Sequence, residues 1–127
     1  MNLEKVIFSF FILMSATLNF GFFLGDIAKP ELHNPYELFA ALSVNMIATA
    51  LKFGDRSQVG AMHLAASLVA DLQLVVAALM WAIAVHVSES GLTVNMISSI
   101  VSLSGGALFA NIVSVIILIT ETVVLRR

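Results

Sequence analysis

Four runs of apolar residues fill most of the chain: Val6–Leu24, Tyr36–Phe53, Val59–Val87 and Val94–Leu125. A bilayer core is about 30 Å thick and takes roughly 20 helical residues to cross, so runs of this length read as spanning helices. Tyr36–Phe53 is short for a span, and Lys52 at its end can reach the headgroups along its methylene stem. The breaks between runs are turn signals. Both prolines, Pro30 and Pro35, fall in Asp26–Pro35, where they remove backbone donors and disfavour helix before them. Gly54, Asp55 and Arg56 interrupt the chain at Phe53–Gln58, and Ser88-Glu89-Ser90-Gly91 marks a turn. The pattern predicts an all-α integral membrane protein with four transmembrane helices at about 4–25, 36–53, 59–87 and 94–125, in a single transmembrane domain over residues 1–127. The first run has the flanks of a signal peptide but no small-x-small cleavage pattern near Gly25, and reads as a retained helix.

Composition narrows the class. Of the 127 residues, 60% are hydrophobic and 11% charged, against about 25% charged in soluble domains. Six Lys and Arg argue against a nucleic-acid partner. The chain has no Cys, which excludes disulfides and thiolate metal sites. The positive-inside rule orients the four spans. With both termini cytoplasmic, Lys5, Lys52, Arg56, Arg126 and Arg127 lie inside, and Lys29 alone lies outside with Asp26, Glu31 and Glu89.

Against this apolar background a few polar positions carry the candidate chemistry. Asp71 and Gln73 sit near the middle of the third run, where an ionised side chain costs on the order of 3 kcal/mol. Asn45 and Asn111 fall near the middles of their helices, and Asn19 lies inside the first. A shared layer of Asn45, Asp71 and Asn111 would coordinate a cation or relay a proton, with Gln73 as a secondary lining group. The plainer role for amides is to bond across helices as glue. On a helical wheel Gly60, Ser67, Asp71, Ala78 and Ala82 form one stripe, with His63 at its margin, and Met62, Ala66, Gln73, Ala77, Met80 and Ala84 the opposite one. Two small-residue faces on one helix predict contacts within the protomer on one side and between protomers on the other, hence a homo-oligomer. Ser104, Ala107, Asn111 and Ser114 make a comparable stripe beside Gly105-Gly106.

Other chemistry finds little footing. His63 lies roughly 12 Å from Asp71 along the helix, too far for direct contact; the two could line one proton path through intervening polar groups, but the simpler reading is an interfacial histidine. His33 and His86, with Glu31 and Glu89, match no compact metal-ligand spacing. No Gly-x-Ser-x-Gly, His-Glu-x-x-His or phosphate loop is present, so neither an enzyme nor a cofactor is indicated.

Two resemblances add to the pattern. Thr49-Ala50-Leu51-Lys52-Phe53-Gly54-Asp55 faintly resembles the potassium-channel filter Thr-Val-Gly-Tyr-Gly-Asp, whose carbonyls replace an ion's hydration shell. Lys52 departs from it: a fixed positive charge where the first filter glycine belongs opposes cation passage. A re-entrant Tyr36–Lys52 would also put Arg126 and Arg127 outside, against the charge rule. The second resemblance covers nearly the whole chain. Met-Asn-Leu-Glu-Lys-Val-Ile-Phe, Leu-Asn-Phe-Gly-Phe-Phe, Tyr-Glu-Leu-Phe-Ala-Ala-Leu, Leu-Lys-Phe-Gly-Asp-Arg and Ser-Leu-Val-Ala-Asp-Leu-Gln-Leu are similar to a family of small bacterial inner-membrane proteins carrying a domain of unknown function. That resemblance implies a multi-pass protein of the bacterial inner membrane and supplies no activity. The leading expectation is a small oligomeric channel conducting a cation or proton past Asp71, with membrane lipid around it. The alternative is an accessory subunit of a larger membrane complex, and a proton-coupled transporter ranks third for want of an inverted repeat.

Overall fold

The computed structural model describes residues 3–25, 29, 31 and 33–125. They form four α-helices: α1 (Leu3–Phe23), α2 (Pro35–Lys52), α3 (Gln58–His86) and α4 (Val94–Leu125). The helix ends follow local chemistry. Asn34 caps α2 by accepting from the Tyr36 amide at 2.9 Å, and Pro35 fills a first-turn position that needs no donor. Ser57 caps α3 through the Gly60 amide at 2.9 Å, and the Thr93 hydroxyl accepts from Met96 N at 3.1 Å at the entry to α4. Gly25 and Gly91 take positive φ, 102° and 67°, where the chain turns at one end of the bundle.

Each helix packs on its neighbours in the chain, and α4 closes back on α1. The ring is an up-down-up-down bundle. Its closure is marked by an ion pair between Lys5 at the start of α1 and Glu121 at the end of α4. The start of α1 and the end of α4 therefore share one end of the bundle with the 53–57 connector. Lys5, Lys52 and Arg56 cluster there, and Lys29 lies in the connector at the far end. Arg126, Arg127, Asp26 and Pro30 lie outside the described residues.

Burial repeats in steps of three and four. It picks out Phe8, Ile12, Ser15, Asn19 and Phe22 on α1, and Leu38, Ala41, Asn45, Ala48 and Thr49 on α2. On α3 the same spacing runs Gly60, His63, Ser67, Ala70, Leu74, Ala77 and Trp81. This 3.5-residue period is that of a left-handed bundle with interlocking side chains. Its polarity is reversed relative to a soluble bundle. Asn, Ser, Thr and His occupy buried seam positions, while Phe109 (69% exposed) and Leu72 (67%) face outward among many other large apolar side chains. Contact with lipid stabilises such an exterior; contact with water would not.

Three helices, α1, α3 and α4, are long and apolar enough to cross a membrane. The fourth, α2, has 18 residues, roughly 27 Å at 1.5 Å per residue. It is shorter because Pro35 sets its start and the Gly54-Asp55 connector its end. Both small-residue stripes of α3 are used within the protomer. Gly60, Ser67 and Ala78 are buried from one, Ala77 and Ala84 from the other. The reason is that α3 sits between α2 and α4 and packs against both.

Candidate functional site: a buried polar layer around Asp71

The seam residues at mid-height form one connected hydrogen-bond network. Asp71 is half-buried on α3, and both its carboxylate oxygens are engaged from α2. Asn45 Nδ2 donates to Oδ1 at 2.6 Å, and Thr49 Oγ1 donates to Oδ2 at 2.6 Å. Asn45 and Thr49 are one turn apart, so α2 presents two donors at the spacing of a carboxylate's two oxygens. Asn45 is fully buried. Its Nδ2 also lies 3.1 Å from the Ser67 carbonyl, and its Oδ1 accepts from Ser15 Oγ of α1 at 3.0 Å. Ser15 Oγ in turn accepts from Asn111 Nδ2 of α4 at 3.1 Å. Four helices thus meet on Asn111–Ser15–Asn45–Asp71, closed by Thr49.

Below the layer, toward the end that holds Lys5 and Lys52, lies His63. It is fully buried, and its Nδ1 stands 3.3 Å from Ser114 Oγ of α4. The Phe8 ring meets it edge-on, with centroids 4.9 Å apart. On Phe8 sits the Lys52 ammonium, 4.3 Å from the ring centroid, as a cation over an aromatic face. Lys52 also pairs with Asp55 at 3.5 Å. These residues border an open cleft of about 850 Å³ lined by the start of α1, the 53–57 connector and Glu121. His63 is therefore a core residue contacted from α1 and α4.

Asp55 organises the connector. Its Oδ1 accepts from Ser57 Oγ at 2.7 Å and from Ser57 N at 2.9 Å. The Ser57 hydroxyl bond, then the Ser57 amide bond, hold its carboxyl below the usual 3.8, with Lys52 adding a smaller attraction and desolvation opposing them. A lowered folded pKa means that this contribution is complete above the ordinary carboxylate value and is lost as pH falls through the folded one. Amide exchange at Ser57 and Gly60 is expected to accelerate below about pH 4 in the wild type. Exchange rates corrected for intrinsic pH dependence would show this, and an Asp55→Asn protein should lack the transition.

Above the layer the core becomes apolar. Ser104 Oγ donates to Asn19 Oδ1 at 3.3 Å, and beyond this pair Phe22, Leu38, Leu74, Trp81, Ile97 and Ile100 pack together. Phe22 stands edge-on to Trp81 at 5.9 Å, and its carbonyl accepts from His33 Nδ1 at 2.6 Å. His33 is thus a buried brace for the end of α1, and His86 is exposed at the end of α3. Among the described residues no group of three His, Asp or Glu side chains is placed to hold a metal.

The structure brings Asn45, Asp71 and Asn111 together and leaves Gln73 apart. Two positions on from Asp71, Gln73 points some 200° around the helix, toward α4. A Cβ added at Gly106 would stand 2.5 Å from Gln73 Nε2. Gly106 thus makes room for an amide whose Oε1 is buried without a partner. Gly106→Ala is expected to change stability by less than about 1 kcal/mol, because only the free end of Gln73 must move, whereas Gly106→Leu should cost about 2 kcal/mol or more by separating α3 from α4. Helicity during a detergent-to-SDS titration would separate the two cases.

The filter-like segment does not form a filter. Thr49 and Lys52 lie in the last turn of α2, and Phe53 N donates to Ala50 O at 3.3 Å. A filter needs a run of carbonyls turned toward an ion; here they are turned along a helix. Gly54 and Asp55 belong to the exposed connector. Thr49 instead donates to Asp71. The sequence pattern does not single out Ser15 or the role of Thr49 in the network, nor the separate His63–Ser114 pair. The signal was available in the i, i+4 spacing of Asn45 and Thr49 and in the repeat that puts Ser15 on the seam.

Antiparallel helices with an apolar exterior and a polar interior define a membrane-protein helix bundle. Within that class, residues 32–122 match the model described as Family of unknown function (DUF6394), well over half of the 127-residue chain, and the chain belongs to that family. The match takes in α2, α3 and nearly all of α4, including Asn45, Asp71 and Asn111. No curated protein and no solved structure matches the chain.

Proposed function

We propose that this protein is a small ion-conducting protein of the bacterial inner membrane, that the ion is a proton, and that Asp71 binds it during passage. One observation carries the reading: a carboxylate at mid-height of the bundle, engaged by two 2.6 Å donors and linked through Asn45 and Ser15 to Asn111. A buried carboxylate is a costly way to hold helices together when amides and hydroxyls suffice. Its surroundings favour a proton over a metal cation. Both oxygens already receive donors, and the neighbours supply an amide and a hydroxyl in place of a cage of oxygen ligands. In this orientation all four helices span, and the end bearing Lys5, Lys52 and Arg56 faces the cytoplasm.

The network lies inside one protomer, which supports a path through the bundle core. A homo-oligomer remains part of the proposal, joined through the outward apolar faces. The alternative is an accessory subunit, favoured by the cross-helix bonding of Asn45 to Ser15 and Ser67, which serves equally as glue.

Flux measured from liposomes holding the purified protein, with H⁺, Na⁺, K⁺ and Cl⁻ compared, decides between them. Proton flux without Na⁺, K⁺ or Cl⁻ flux is expected. Silence of the folded protein to all four ions, together with a stoichiometric partner in gentle purification, would favour the accessory subunit.

A further inference from the structure

Three buried polar atoms near His63 lack partners: His63 Nε2, Ser67 Oγ and Asn111 Oδ1. His63, Ser67 and Asp71 succeed one another at one-turn intervals on α3. Asn111 stands one turn before Ser114, the residue that holds His63 Nδ1. The orphaned atoms therefore bracket the interval between His63 and the Asp71 layer. Buried water commonly satisfies two to four unpaired buried polar groups at once. Toward the cleft, Phe8 stands against His63 and packs with Ile12, Ala48 and Leu118, and the Lys52 ammonium stands on the Phe8 ring. Toward the far end the apolar cluster around Phe22, Leu74 and Trp81 offers water no partners.

We infer that water binds among His63, Ser67 and Asn111, behind a plug made by Phe8 and Lys52, so that the Asp71 layer exchanges with solvent from the cleft end alone. The ligand is water, and the charged groups at its entrance are Glu4 and Lys5 on α1, Lys52 on α2, Asp55 and Arg56 in the connector and Glu121 on α4. Two of them are held in ion pairs across the ring and two across the α2–α3 turn, so the mouth is ordered without being sealed. Phe8 is the moving part. Swinging its ring aside breaks its edge contact with His63, its cation–π contact with Lys52 and its packing on Ile12, Ala48 and Leu118. On the proton reading of Asp71, on which only the use of the site rests, His63 is the first internal proton carrier. A proton from cleft water adds to one imidazole nitrogen. The resulting imidazolium passes a proton along the bound water, Asp71 becomes the carboxylic acid, and His63 returns to neutral imidazole.

Water-edited solid-state NMR of the ¹⁵N,¹³C-labelled wild-type protein in bilayers tests the site. Exposed His86 serves as the wet reference, and Leu74 and Ala77 as the dry one. Water magnetisation is expected to reach the His63 ring nitrogens faster than it reaches Leu74 or Ala77, and about threefold faster again in Phe8→Ala. A His63 ring as dry as Leu74, or a Phe8→Ala protein with unchanged build-up, would overturn the inference. His63→Gln keeps a polar group at the position if Phe8→Ala fails to fold, and should leave water contact at Ser67. The loss of that contact would equally overturn it. A wet His63 in a protein that passes no protons would sustain this inference and overturn the proton reading of Asp71.

Discussion

Replacing Asn45 by leucine is expected to destabilise the bundle by about 2–4 kcal/mol, the largest effect of any seam substitution. Leucine keeps the branched outline of asparagine but is larger, so overpacking adds to the lost hydrogen bonds. Asn45 receives a bond from Ser15 and gives bonds to Asp71 and the Ser67 carbonyl. Its loss strands groups on α1 and α3 together. Interhelical hydrogen bonds in membranes average about 0.6 kcal/mol and reach about 1.7, so three of them plus a carboxylate deprived of a donor reach the stated range. Asn45→Asp, by contrast, sets two carboxylates against each other, and the pair is expected to share a proton. Retained helicity against added SDS measures the first variant, and a loss below about 1 kcal/mol would show that the layer contributes little to cohesion.

The second large effect concerns Asp71 itself and separates fold from function. Asp71→Asn keeps the shape, one acceptor for Thr49 and an amide that bonds in turn, so the bundle should lose no more than about 1 kcal/mol. It removes the titratable group, and proton flux should fall by at least about tenfold, as for loss of an essential proton carrier. Asp71→Leu removes both acceptors. Asn45 Nδ2 keeps the Ser67 carbonyl and Thr49 keeps the Asn45 carbonyl, so the expected cost is moderate, about 1–3 kcal/mol, with flux lost as well. If Asp71 were glue alone, Asp71→Leu would damage the fold and Asp71→Asn would damage nothing.

Much of this arrangement was legible in the sequence for a simple reason. Membrane helices satisfy their backbone internally, so apolar runs and breakers suffice to place them, and the four runs coincide with the four helices. The polar residues inside those runs stand out because they are costly, which is why Asp71, Asn45 and Asn111 could be singled out and expected to share a layer. Partnership was harder to read. Thr49 resembles part of a filter motif, and although the apolar pattern carries the helix through Lys52, nothing in the pattern says which neighbour its hydroxyl meets. Ser15 passed unnoticed because a single serine in an apolar run is cheap. Gln73 shares the depth of Asp71 but lies on the opposite stripe, as the helical wheel places it. Both α3 stripes contribute buried residues within the protomer, because α3 packs against α2 and α4.

The most direct test of Asp71 as a proton-binding group is proton flux into liposomes under an imposed potential, with wild type, Asp71→Asn and Asp71→Glu reconstituted at equal density. The account predicts flux in the wild type, retention of a measurable fraction in Asp71→Glu, and background in a folded Asp71→Asn protein. Equal flux in wild type and Asp71→Asn would contradict it.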